Sequence, residues 1–378
     1  MKFSKKLVSI IMIFSLSTLS YAEENKFETS APSALLMEAE SGRVLFEKNS
    51  TEVRYVASLM KMMNIISAFE AIEEGKINLN DKVKINKDFP KMPGSNIWIK
   101  PNETLTVKDL LKAIAMISAD DASLALAQHL CKEEGKFVSE MNQLASRLNL
   151  NNTIFKNCIG DDKDGNVSSA CDIAKMALEL YRTEEALKYT SKWIDHIRDG
   201  KFQIVNTNKL LKTYKGTVGL KTGTSENAGS CVCALAKKNG FNLIAVILGC
   251  KDVKERNEET KKILDYGFSE FQMTKLSLPE DFPKQIKVIG GMEDYVDISA
   301  VIPSPIPISN KNKNKISSQP MLEEKIEAPV ERGKKVGQVI YRQNEEILCT
   351  YDIITESNIP KKDFLPVMKR ILKNFLKM

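Results

Sequence analysis

Ala57-Ser58-Leu59-Met60-Lys61-Met62-Met63 opens a strongly apolar helical stretch that runs to about Glu74 and is closed by Gly75. Ser58 is the only serine in the chain with a lysine three residues on. If a helix starts at Ser58, that spacing puts the hydroxyl and the ammonium on one face. The hydroxyl then lies at a helix N-terminus, where the dipole favours developing negative charge. Leu59, Met60, Met62, Met63, Ile65 and Ile66 surround Lys61 with hydrocarbon. Desolvation lowers a lysine's pKa and makes a neutral amine available as a base. An ordinary helix cap followed by a surface lysine has the same sequence. The choice between the two readings therefore rests on the rest of the chain.

Two further elements decide it. Ser118-Ala119-Asp120 follows 60 residues after Ser58, and Lys221-Thr222-Gly223 follows 103 residues after that. Lys221 begins a strand-like segment, and its charge can hold a substrate carboxylate or orient Ser118. The Thr222 hydroxyl can donate to the same carboxylate, and Gly223 lets a bound substrate approach the strand closely. The chain has only two histidines, His129 and His196, and neither adjoins a candidate nucleophile. A lysine base is the alternative to a histidine one.

Leu35-Leu36-Met37 and Val44-Leu45-Phe46, separated by Glu40-Ser41-Gly42-Arg43, predict a β-hairpin. Residues 107–131 predict a second buried helix. Strand-like runs at 230–236 and 241–249 flank Asn239-Gly240, a strong hairpin signal because both residues tolerate positive φ. Residues 252–272 return to helical periodicity. Strands at both ends with helices between them predict an α+β fold, an antiparallel sheet flanked by helices. Beyond about 275 the pattern changes to short β-like runs at 286–289, 295–302, 338–341 and 347–353. These predict a small all-β domain, with 303–320, rich in Pro, Asn, Ser and Lys, as a loop.

The three motifs in this order form the signature of penicillin-binding proteins and class A β-lactamases. The chain resembles the low-molecular-mass penicillin-binding proteins, which are D-alanyl-D-alanine carboxypeptidases within the serine β-lactamase-like superfamily. The likeness extends through Gly94-Ser95-Asn96, Asp109-Leu110-Leu111, Thr153-Ile154-Phe155-Lys156-Asn157 with Gly160, Ser168-Ser169-Ala170-Cys171-Asp172, and Val218 to Thr224 with Ala228-Gly229. The resemblance implies that Ser58 attacks the bond between the two terminal D-alanines of a peptidoglycan stem peptide. It makes Lys61 the base and Ser118 the proton relay. Lys221, Thr222, Gly223 and Thr224 bind substrate, with the Ser58 and Thr224 amides as the oxyanion hole. β-Lactam antibiotics would acylate the same serine, and no metal or organic cofactor is implied. Two departures stand out. Asp120 occupies a place where the family usually has Asn, and Cys158-Ile159 stands where relatives often carry Pro-His. An ionised Asp only accepts hydrogen bonds and favours a charged Lys61, so slower acylation is expected. That keeps open a weakly active, wall-binding homologue. A D,D-endopeptidase shares the motifs. A class A-like β-lactamase does too, but it needs a Glu-x-x-Leu-Asn string that is missing between 120 and 221.

The net charge of +6 suggests nucleic acid or membrane as a partner, but its location argues against nucleic acid. Residues 1–22 carry Lys2, Lys5 and Lys6 before an apolar run and Ser20-Tyr21-Ala22. They predict a signal peptide cut after Ala22. Residues 358–378 predict an amphipathic helix with Lys369, Arg370, Lys373 and Lys377 opposite a large apolar face. Such a helix suits an anionic membrane surface. Between the two ends the chain is slightly acidic. The expected organisation is a signal peptide at 1–22, a catalytic domain at 23–272, a β-rich domain at 273–357 and an anchor helix at 358–378. The protein is then exported and held peripherally on the outer face of the cytoplasmic membrane. Seven cysteines are an odd number for an exported chain, and Cys158 with Cys171 is a possible disulfide.

Overall fold

A computed structural model describes residues 27–300, 305–311, 316–343 and 346–362. The expected signal peptide lies outside the described residues, and so does the expected anchor helix beyond residue 362; its first residues, 358–362, are not helical but belong to the β-rich domain, where Ile359 bridges Val330 and Lys361 bridges Gly291. The central sheet has five antiparallel strands in the order Val44–Lys48, Ser33–Glu38, Phe241–Cys250, Gly229–Lys238 and Thr217–Ser225. The N-terminal hairpin therefore pairs with strands that come some two hundred residues later. Asn239 and Gly240 both take positive φ in the hairpin turn, as their identities predict.

The three inner strands of the sheet are buried at nearly every position because both faces are covered. Leu35, Met37, Cys231, Cys233, Leu235, Ile244 and Val246 pack into a core shared with the helices of residues 57–190. The alternate residues Ala34, Leu36, Val232, Ala234, Leu243 and Ala245 pack with Ile263 and Leu264 of the helix Val253–Glu270. This is the expected sheet flanked by helices, with period two hidden by burial on both sides.

Residues 107–131 are two helices rather than one. Val107–Ile117 is capped by the Thr106 hydroxyl, which accepts from Asp109 N at 3.0 Å, and Asp120–Cys131 follows. Between them Ser118 takes the left-handed conformation (φ 64°) and Ala119 is extended. No Gly or Pro marks the break, and apolar residues resume at Ala122 and Leu124 beyond it. The break turns the Ser118 side chain out of the helical register.

The second domain is a six-stranded sheet in the order Ile316–Leu322, Lys335–Gln343, Glu346–Thr355, Tyr295–Ala300, Gln285–Ile289 and Lys325–Glu327. It has its own core, which includes Ile286, Val296, Val339, Tyr341 and Ile353. Part of the stretch expected to be a loop, 303–320, is strand: Ile306–Ser309 and the start of Ile316–Leu322. Its prolines misled the prediction. Pro320 lies on an edge strand, and Pro307 lies in a two-stranded ribbon with Phe271–Thr274, positions where a missing N–H is tolerated. Arg43 of the first hairpin ties the two domains by donating to Pro307 O at 2.9 Å. All seven cysteines are free thiols, so Cys158 and Cys171 are not bridged.

Candidate active site

The chain enters the site through Val56 and Ala57. Ala57 is held at φ 47°, a conformation that costs a non-glycine residue about 1–3 kcal/mol. A 3₁₀ turn, Ala57–Lys61, follows and passes into the α-helix Met62–Glu73. Ser58 is thus in a tighter turn than an α-helical start, and it still meets Lys61. The Lys61 Nζ is 2.9 Å from Ser58 Oγ and 2.7 Å from Asp120 Oδ1, and it also bonds to Ile159 O. Ser58 is half-buried, whereas the Lys61 side chain is only 1% exposed.

These three partners hold Lys61 in place for either of its protonation states. Ile159 O and Asp120 Oδ1 only accept, so they take two N–H bonds. The third position faces a hydroxyl, which can donate. An ammonium satisfies all three contacts by donating, and so does a neutral amine, which gives its two N–H bonds to the acceptors and aims its lone pair at the Ser58 proton. Burial lowers the Lys61 pKa, and the Asp120 carboxylate opposes that shift in part.

Lys221 is equally buried. Its Nζ donates to Ser118 Oγ at 2.8 Å and to Thr222 O at 3.1 Å. Burial drives its pKa well below the usual lysine value. Lys61 in its charged form adds to the shift, Asp120 opposes it, and the Arg256 charge adds further. The Thr222 hydroxyl lies 2.9 Å from that of Thr207, and Thr224 is exposed at the rim. Strand alternation puts Lys221 and Gly223 on one face, toward the helices. A Cβ on Gly223 would sit 2.7 Å from Val56 O and 3.1 Å from Ser58 N. The missing side chain therefore makes room for the turn that carries Ser58, a different reason from the substrate approach expected of it. Thus the structure gathers Ser58, Lys61, Ser118, Asp120 and the Lys221–Thr224 strand segment in one place. His196 is exposed and His129 half-buried, and neither is a partner of these groups.

Several supporting residues carried no chemical signal in the sequence. Asn157 Oδ1 accepts from the amides of Ile159, Gly160 and Asp161 at 2.8–3.2 Å. This shapes the loop that offers Ile159 O to Lys61. Cys158 O accepts from Asn64 Nδ2 at 2.8 Å. The Cys158-Ile159 pair thus serves the site through backbone carbonyls, which any side chain supplies. The buried Asp121 carboxylate takes the amides of Ile97, Ile99 and Ala122. It pins the loop carrying Gly94, where a Cβ would come within 2.0 Å of Asp120 Oδ2. Arg256 is 2% exposed, and no acidic partner faces it among the described residues. Its charge adds to the positive field at Lys221.

Comparison with known proteins matches residues 20–252 to the family of D-alanyl-D-alanine carboxypeptidases. Residues 271–361 match the C-terminal domain of penicillin-binding protein 5. The chain is 35% identical over 376 residues, 97% of each chain, to the D-alanyl-D-alanine carboxypeptidase DacF of Bacillus subtilis. Its fold is similar to that of penicillin-binding protein 5 from Haemophilus influenzae, with TM-score 0.81 and 27% identity. That match covers 89% of this chain and 99% of the other. Penicillin-binding protein D2 from Listeria monocytogenes in its ampicillin-bound form is 29% identical. Its TM-score is 0.59, over 64% of this chain and 99% of the other.

Proposed function

This chain belongs to the D-alanyl-D-alanine carboxypeptidase family of serine peptidases, and we propose that it removes the terminal D-alanine from peptidoglycan stem peptides through a Ser58 acyl-enzyme. Neutral Lys61 takes the Ser58 proton as Oγ attacks the carbonyl of the penultimate D-alanine. The Ser58 and Thr224 amides donate to the tetrahedral oxyanion. Ser118, held by Lys221, passes a proton to the amine of the leaving D-alanine. Thr222 and the positive charge of Lys221 hold the terminal carboxylate. Water then hydrolyses the ester. A β-lactam acylates the same serine, as suits a relative of a protein seen with ampicillin bound. The observation that carries this reading is the three-way setting of Lys61: two acceptors and one hydroxyl around a buried amine.

The same ion pair supports a second reading. A carboxylate 2.7 Å from Lys61 stabilises its charged form and favours a slow enzyme. One experiment separates the two. The purified protein is incubated with a D-Ala-D-Ala pentapeptide and, separately, with penicillin, with Ser58→Ala as control. Catalytic release of D-alanine and a penicillin adduct on Ser58 are expected. An adduct without peptide turnover would leave only the weak homologue, and neither would defeat the serine mechanism.

The site acts outside the cytoplasm, where such relatives meet the wall. The basic terminal helix expected beyond residue 362 would hold the protein on anionic lipid, with the β-rich domain as the spacer. No helix among the described residues is long and apolar enough to cross a membrane.

A further inference from the structure

We infer that Thr207 is a positioning residue that sets the direction of the Thr222 hydroxyl and so tunes recognition of a substrate's terminal carboxylate; this rests on the carboxypeptidase reading. Thr207 is exposed between two buried asparagines that fix its backbone. Asn206 Nδ2 donates to Lys192 O at 3.0 Å and to Thr190 O at 3.2 Å, and its Oδ1 accepts from Asn208 N at 2.9 Å. Asn208 Oδ1 accepts from Leu210 N at 3.1 Å. Between them, Thr207 N donates to Met116 O at 2.9 Å. The Thr207 hydroxyl lies 3.3 Å from the same carbonyl and 2.9 Å from Thr222 Oγ1. Met116 stands two residues before Ser118, so Thr207 joins the turn of the second motif to the strand of the third.

A hydroxyl has one proton to give. Without a ligand, Thr222 donates to Thr207, and Thr207 donates to Met116 O. A carboxylate can only accept, so on binding it takes the Thr222 proton. Thr207 then turns its own proton to the Thr222 oxygen. Met116 O loses nothing essential, because the Thr207 amide still serves it. Both directions of the chain are satisfied, and donation from Thr207 polarises the Thr222 O–H toward the charge. A valine at 207 keeps the shape and removes the donor. Serine keeps the donor.

The test uses two peptides that differ only at the end, one a D-Ala-D-Ala carboxylate and the other its carboxamide. Thr207→Val should lower kcat/KM on the carboxylate by about fivefold, chiefly through KM, the size of one lost hydrogen bond between neutral groups. The carboxamide should change by less than about twofold. Thr207→Ser should restore the carboxylate rate. Equal losses on both peptides, or a serine variant that behaves like valine, would overturn the inference and leave Thr207 a packing residue. If the wild type turns over neither peptide, the activity itself fails and this role goes with it.

Discussion

Replacing Asp120 by Asn removes one charge from the most buried ion pair of the site and leaves its shape intact. The Asn oxygen can still accept from Lys61, so the three-way setting survives. Two unit charges 2.7 Å apart interact by about 6 kcal/mol at an effective dielectric near 20. Asp120 is partly wetted, with its side chain 11% exposed, and the Asn dipole recovers part of the attraction. Losing an adjacent opposite charge lowers a lysine pKa, and a fall is expected at Lys61. Burial already lowers this pKa and Asp120 raises it, so removing Asp120 lets burial act unopposed. Acylation needs the neutral amine, and its rate climbs as pH rises through the Lys61 pKa. The acidic limb of the pH–rate profile should therefore move to lower pH by the same amount. At a pH below both limbs, the variant should react faster than the wild type, by about tenfold for each pH unit the limb moves. The assay is the second-order rate of acylation by a fluorescent penicillin across pH, paired with D-alanine release. An acidic limb that stays where the wild type has it would refute the reasoning, because Asp120 would then exert no charge on Lys61.

Gly223→Ala drives a methyl against the backbone of Val56 and Ser58. It should reduce penicillin acylation by about a hundredfold through misplacement of the nucleophile, with the far-UV circular dichroism unchanged; a variant acylated at the wild-type rate would disprove the contact. Lys221→Met should abolish D-alanine release yet stabilise the fold at pH 7 by about 1–3 kcal/mol in urea unfolding, since it removes a buried cation. The folded Lys221 pKa lies below its unfolded value, so the unfolded chain binds the extra proton. That cost fades as pH climbs toward 10.5, and the stabilisation should shrink with it; a gain independent of pH would contradict the account. Deleting residues 361–378 should move the protein from the membrane fraction to the soluble one, and continued sedimentation would rule out the terminal anchor.

The three motifs were legible because their chemistry constrains residue type. A serine needs a base, a lysine base needs burial, and a carboxylate needs a cation and a hydroxyl. The alternation of the sheet was not legible, because Ala34 to Met37 and Cys231 to Ala236 are buried on both faces. The strands at 306–309 and 316–322 were hidden by prolines that only an edge position excuses. The loop that offers Ile159 O to Lys61 acts through main chain, which leaves no side-chain signature; the amide of Asn157 shapes it from outside the chemistry. The most instructive failure is at Ser118. Apolar residues lie on both sides of 118–121 with no Gly or Pro between them, so a single helix is the economical prediction, and that helix would keep Ser118 in register with Ile114 and Ala115. The left-handed turn at Ser118 breaks it. Ala57, immediately before the nucleophile, carries the same unfavourable sign of φ. Neither residue is glycine, and neither conformation is one that local propensity would choose. Both stand next to or at a hydroxyl that must point into a cleft, away from the helix it belongs to. The surrounding contacts hold these strained residues in place: Ala119 N to Ala113 O, Asp120 N to Ser95 O, and the Ser58 turn against Gly223. Sequence periodicity therefore fails here because placing a nucleophile and its relay overrides local preference; positive φ alone does not mark these residues, since Lys132 and Arg198 among others share it.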